Sequence, residues 1–162
     1  MKTLHITDLH FTESPRELLE AQKSCIKRIF DEESPDEVII TGDLMTRRKP
    51  TPSVLLALQD VIKYMDSRSA NLYILRGNHD SETKADDGIT ALSLFEPYAK
   101  IITHTWTDNK RKRVFIPHYE NEELIREALE NTPEGYTVFG HFGYNGCLNS
   151  AGDADFNLSI NH

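Results

Sequence analysis

Four short segments of the chain carry the residue types that ligate divalent cations: Asp8-Leu9-His10, Gly42-Asp43, Gly77-Asn78-His79-Asp80 and Gly140-His141. Carboxylate, imidazole and amide oxygen together suit Mn²⁺, Fe²⁺ or Zn²⁺, and a set without thiolates disfavours structural zinc. A central carboxylate such as Asp43 can bridge two cations and hold them roughly 3.5–4 Å apart, the spacing used for in-line displacement at phosphorus. Such a pair activates a water and offsets the charge that builds on the phosphate oxygens. In that chemistry His79 is the natural proton donor to the leaving oxygen, with Asp80 orienting its ring. Glycines beside Asp43 and Asn78 let the backbone turn sharply and approach the ions.

These clusters need elements that bring them together, and the sequence supplies strands that end just before each one. Lys2 to Ile6 reads as a strand, as do Glu37 to Thr41 and the NLYIL run from Asn71 to Leu75. Between them, Ser14-Pro15-Arg16-Glu17 reads as a capping box opening a helix whose stripe is Leu18, Gln22, Cys25, Ile26, Ile29 and Phe30. Thr51-Pro52 opens a second helix with Leu55, Leu58, Val61, Ile62 and Met65 on one face. Alternation of this kind predicts an α/β layered fold, and cluster-bearing strand ends then share the carboxyl edge of a sheet. Further on, the pattern predicts a short helix around Ile89 to Phe95, strands at Lys100 to Thr103, Arg113 to Ile116 and Gly135 to Gly140, and an acidic helix from Asn121 to Glu130. The tail from Asp153 to His162 is ambiguous.

Asp-x-His, Gly-Asp and Gly-Asn-His-Asp, in this order and after these strands, resemble the calcineurin-like metallophosphoesterase superfamily. Within it, GDLMTRRKP and GHFGYNG resemble SbcD-like recombination nuclease subunits, particularly their phage versions. The resemblance implies mixed sheets flanked by helices and two divalent ions, with Mn²⁺ first and Fe²⁺, Zn²⁺ or Mg²⁺ as alternatives. It implies Asp8, His10 and Asp43 around one ion and Asp43, Asn78 and His141 around the other, with His79 as the acid. It further implies hydrolysis of DNA phosphodiesters by a metal-activated water, an SbcC-like ATPase partner and a homodimer. The family closes its site with Gly-His-x-His, whereas His141 is followed here by Phe142-Gly143. The expectation is therefore one domain over residues 1–162 that is incomplete at its C-terminal end, or a naturally short protein with a weakened site. The alternatives are a phosphatase or cyclic-nucleotide phosphodiesterase on the same fold, and a scaffold that binds without catalysis.

His118 also follows a strand and rivals His141 for the same ligand place. His5 lies inside the first strand and reads as a packing residue facing away from Asp8. Arg47 and Arg48 follow Gly42-Asp43 and are expected to steer a phosphodiester backbone. The formal net charge of −8 argues at first against nucleic acid. Acidic residues gathered in a crevice with two cations would reverse the local sign. Cys25 and Cys147 read as unpaired thiols. No apolar run reaches the length of a membrane span, and MKTLHITDLH lacks the apolar core of a signal peptide. A cytoplasmic protein of a bacterium or a phage-infected host is expected, with no membrane partner.

Overall fold

The computed structural model describes residues 1–68, 70–144 and 147. Strands β1 (Thr3–Ile6), β2 (Glu37–Ile40), β3 (Asn71–Leu75) and β4 (Lys100–Ile102) form a parallel sheet in that order. Helices α1 (Arg16–Glu33) and α2 (Pro52–Asp66) connect the first three strands and pack on each other. Their apolar faces close a core with the sheet: Leu19, Ile26 and Phe30 from α1, Val54, Leu58, Val61 and Met65 from α2, over Val38, Ile40, Leu72 and Ile74. A 3-10 helix, Ala91–Phe95, precedes β4, with the Thr90 side chain accepting from the Leu92 amide.

A second sheet holds β5 (Trp106–Asp108), β6 (Arg113–Ile116) and β7 (Thr137–Gly140), with β5 antiparallel and β7 parallel to β6. Helix α3 (Glu122–Glu130) packs Ile125 against Val114 and Ile116. The two sheets meet through Ile39, Leu75, Ile102 and Phe115, with Tyr73, Trp106 and Phe139 at the margins. Stacked rings continue that layer, Tyr73 to Phe115 at 5.6 Å and Phe115 to Phe139 at 5.3 Å between centroids. At the amino ends of β2 and β6, the buried Arg113 guanidinium donates to Glu37 at 2.6 Å and to Asp108 at 3.0 Å. This charged bridge ties β2 to the second sheet and fixes how the sheets lie against each other.

The α/β architecture with a mixed sheet agrees with the sequence reading, and several local expectations do not. Pro15 is the N-cap of α1 and has no side-chain acceptor, so the Ser14–Glu17 capping box does not form. The buried stripe runs through Leu19, whereas Leu18 and Cys25 are exposed. Strand β5 was not anticipated, because its three residues carry no periodicity of their own and pair only through β6. The ambiguous tail, Asn145 and His162 lie outside the described residues. Among the described residues, no helix is long and apolar enough to cross a membrane.

Candidate metal centre

Parallel pairing carries the first three clusters to one edge. Beyond the strands, backbone bonds continue the ladder: the Asp8 amide donates to the Gly42 carbonyl at 3.1 Å, His10 to Asp43 at 2.9 Å and Phe11 to Leu44 at 2.8 Å. The two loops therefore run side by side, and Asp8 and His10 are delivered next to Asp43. Asp8, His10 and Asp43 all adopt positive φ, at 53°, 44° and 52°. L-residues enter this region at a cost, and such strain concentrates at functional sites.

Gln22 braces the first loop from α1. Its side-chain amide donates to the Leu9 and His10 carbonyls at 3.0 and 3.1 Å. It is the one polar residue in the predicted stripe of α1, and that interruption was the signal for a role beyond packing.

Asp43 sits at the middle of the cluster, 5% exposed at its side chain. Its Oδ2 is 3.6 Å from His10 Nε2, and His10 Nε2 is 3.6 Å from Asp8 Oδ1. Its Oδ1 is 3.5 Å from His141 Nε2 and accepts the His79 backbone amide at 2.9 Å. Oxygens of Asp8 and Asp43 and a ring nitrogen of His141 lie within 4.8 Å of one another. The fourth strand end comes from β7 of the second sheet, so His141 reaches the centre from the other side of the sheet-to-sheet interface.

The orientation of His141 tests whether these residues fit a cation. Its Nδ1 is 2.7 Å from the Thr41 carbonyl, which can only accept, so Nδ1 carries the proton. In the neutral ring Nε2 is then a lone pair, 3.0 Å from Asn78 Oδ1 and 3.5 Å from Asp43 Oδ1. Three acceptors converge without a proton among them, which suits a divalent ion. A carbonyl behind the outer nitrogen is also the usual support of a ligating imidazole. The residues fit the group.

Two glycines leave room for this arrangement. Gly42 has φ +99°, and a Cβ there would stand 2.5 Å from His141 Nδ1. At Gly77 a Cβ would overlap the Asp43 carboxylate and its backbone nitrogen. Gly77→Ala is therefore expected to weaken Mn²⁺ binding by about 10–100-fold, as for other changes just behind a metal's ligands. Calorimetric titration checks this, and unchanged affinity would remove the packing argument.

His79 stands beside His10, with ring centroids 5.1 Å apart. Asp80 does not orient its ring. The His79 Nδ1 proton goes to the Thr46 carbonyl at 2.7 Å. Asp80 is fully buried and its carboxylate accepts the amides of Gly77, Leu44 and Met45 at 3.0, 3.3 and 3.1 Å. Burial pushes its pKa up to about 6 against the pull of those amides, with the Asp43 charge adding to the rise. Asp80 thus ties the β2 and β3 loops together, and it bears on His79 only by holding the segment that leads to Thr46.

Arg48 also differs from expectation. Its guanidinium donates to the Ser81 and Thr83 carbonyls and pairs with Glu120 at 3.2 Å, which makes it a staple between loops. Arg47 is 65% exposed and, among the described residues, pairs only with Glu13. His118 is bound through its backbone to Arg76 and lies near Glu120 at 3.7 Å, with burial pushing its pKa down. Its ring centroid is 6.2 Å from that of His141, and it is not part of the converging set.

His5 packs edge-on against Phe139, as a packing residue would, but it does not face away from the site. Strand β1 alternates exposed Thr3 and His5 with half-buried Leu4 and Ile6, which puts His5 on the open face. It lines a cavity of about 640 Å³ together with Thr7, Asp8, Asn78, His118 and His141. The polar-apolar alternation of TLHIT was the signal.

A model of the calcineurin-like phosphoesterase family matches residues 1–161. The DNA double-strand break repair protein Mre11 of Methanocaldococcus jannaschii is 28% identical over 140 residues, covering 80% of this chain and 38% of that protein. The SbcD component of the SbcCD nuclease of Staphylococcus epidermidis is 29% identical over 94 residues, 54% of this chain and 25% of that protein. The chain thus spans well under half the length of these relatives. The crystal structure of the Pseudomonas putida nuclease MPE superposes with a TM-score of 0.52 at 21% identity, covering 84% of this chain and 58% of that one, a likeness of fold.

Proposed function

The chain belongs to the calcineurin-like phosphoesterase family of metal-using hydrolases, and from that premise we propose that it hydrolyses phosphodiester bonds of DNA. The observation that carries the reading is the division of Asp43, whose Oδ2 faces His10 while Oδ1 faces His141. Asp8, His10 and Asp43 would hold one divalent ion, and Asp43, Asn78 and His141 a second. When bound, two such ions supply an activated water and neutralise charge on the phosphate. Mn²⁺ is the proposed metal, on the carboxylate, imidazole and amide donor set.

The chain's own residues do the rest. The Thr41 carbonyl fixes the His141 ring through Nδ1, with Nε2 beside Asn78 Oδ1. His79 Nδ1 is anchored on Thr46, which leaves Nε2 to deliver a proton to the departing oxygen. Arg47, exposed at the same edge, is the residue proposed to meet a neighbouring backbone phosphate. The relatives' names support DNA as the substrate. An ATPase partner, a homodimer and a cytoplasmic setting belong to the same proposal.

The test is hydrolysis of bis(p-nitrophenyl) phosphate and of linear duplex DNA with added Mn²⁺. Cleavage of both, abolished by a chelator, is expected. Turnover of a phosphomonoester alone would move the reading to a phosphatase, and silence with Mn²⁺ demonstrably bound would leave a scaffold.

A further inference from the structure

The cavity beside the centre is larger than a phosphate requires. At about 640 Å³ it falls in the range of roughly 300–1,000 Å³ that small-molecule sites occupy. The Asn78 and His141 side of the centre forms one wall, β1 supplies His5 and Thr7, and Phe142 supplies an apolar surface beyond His141.

Two of these side chains are held in place. His5 Nε2 is 3.0 Å from the Thr41 hydroxyl, and its ring meets Phe139 edge-on at 5.5 Å. Among the described residues His5 Nδ1 has no hydrogen-bond partner, and the side chain is exposed on the cavity wall. Nδ1 therefore meets whatever enters as an N–H when the Thr41 hydroxyl donates to Nε2, and as a lone pair when that hydroxyl accepts. The Phe142 ring folds back on the Gly140 backbone, where even a methyl group would overlap it. A fixed polar side chain and a fixed aromatic wall therefore line the same cavity as Asn78 and His141.

A bare phosphate would use neither. A nucleoside uses both, its sugar oxygens accepting hydrogen bonds and its base offering a flat apolar face. We propose that this cavity is a subsite for the nucleoside carried on the scissile phosphate, with His5 as its polar anchor. The inference rests on the phosphodiesterase reading above and adds which part of the substrate lies on the His141 side.

Calorimetric binding of thymidine 5′-monophosphate and of inorganic phosphate to the Mn²⁺-loaded chain tests it. Thymidine monophosphate is expected to bind more tightly than phosphate. His5→Ala should weaken the nucleotide about tenfold, as for one lost hydrogen bond, and leave phosphate unchanged, while His5→Gln restores part of the loss. Equal weakening of both ligands would make His5 a support of the centre and overturn the subsite, as would unchanged nucleotide binding. A second measurement needs no variant: in the Zn²⁺-loaded protein the His5 ring resonances should shift with thymidine monophosphate and stay put with phosphate. Selective nucleotide binding by a chain that leaves phosphodiesters intact would sink the catalytic reading and keep the subsite. A chain that hydrolyses diesters without preferring the nucleotide would do the reverse.

Discussion

Asp43→Asn is expected to empty the centre of both cations and to lower phosphodiester hydrolysis by on the order of 10³-fold or more, since several kcal/mol of charge stabilisation depend on the ions. The two oxygens of Asp43 face different partners, Oδ2 toward His10 and Oδ1 toward His141. Asparagine keeps Oδ1, and so keeps the hydrogen bond from the His79 amide that helps hold the β3 loop. It loses the negative charge and turns an NH₂ toward one of the donor sets. A cation on the His10 side meets a donor where it needs an acceptor, and one held by Asp43, Asn78 and His141 loses the single carboxylate charge of that set. Asp8→Asn is the comparison, because Asp8 is half exposed, lies 3.6 Å from His10 and leaves the Asp43 carboxylate intact. Metal analysis of the two variants should give none retained for Asp43→Asn and one for Asp8→Asn, with thermal unfolding of the metal-free proteins close to that of the unaltered chain. Two cations retained in Asp43→Asn would mean that Asp43 does not bridge.

That Asp43 could be singled out from the sequence follows from how parallel sheets work. Each strand is a short apolar run, and the first polar cluster after it must emerge at the carboxyl edge. EVII and NLYIL are followed within three residues by Asp43 and Asn78. Register between neighbours then does the alignment, pairing Ile6 with Ile40 and Ile40 with Ile74.

What was hidden depends on contacts between elements far apart in the chain. Thr46 meets His79 only because the β2 loop folds over the β3 loop, with the buried Asp80 holding it from below. Nothing in the adjacency of His79 and Asp80 reveals that their side chains go different ways. Arg48 looked like a phosphate ligand because a basic residue beside an acidic cluster has many possible partners. Its three partners, Ser81, Thr83 and Glu120, come from segments that only the folded chain brings near. His141 was recognisable as a residue at a strand end, yet its sheet was not. The stacking of Phe115 and Phe139 against Tyr73 is what delivers β7 to the first sheet. His5 is different, since its alternation with Leu4 and Ile6 was local and legible.

His79→Ala should lower turnover on DNA by about 10²–10⁴-fold, the usual contribution of a positioned acid, while metal content stays the same. The ring is not among the converging donors, and the backbone amide that binds Asp43 survives the substitution. Loss of metal would therefore remove His79 from the acid role. A second comparison separates proton donation from a general disturbance of the site. The oxygen leaving a DNA strand is a strongly basic alkoxide that needs a proton as the bond to phosphorus breaks. Nitrophenolate is a weak base that departs without one. The His79→Ala defect should accordingly be large on DNA and small on bis(p-nitrophenyl) phosphate, and equal defects on the two substrates would place the role of His79 in binding or structure. The same contrast bears on Thr46, whose carbonyl holds the Nδ1 proton at 2.7 Å. Because that contact is made by backbone, substitution of the Thr46 side chain should leave the leaving-group dependence intact. Only a change that moves the loop, such as loss of the Asp80 carboxylate that anchors the Leu44 and Met45 amides, should reproduce part of the His79→Ala pattern.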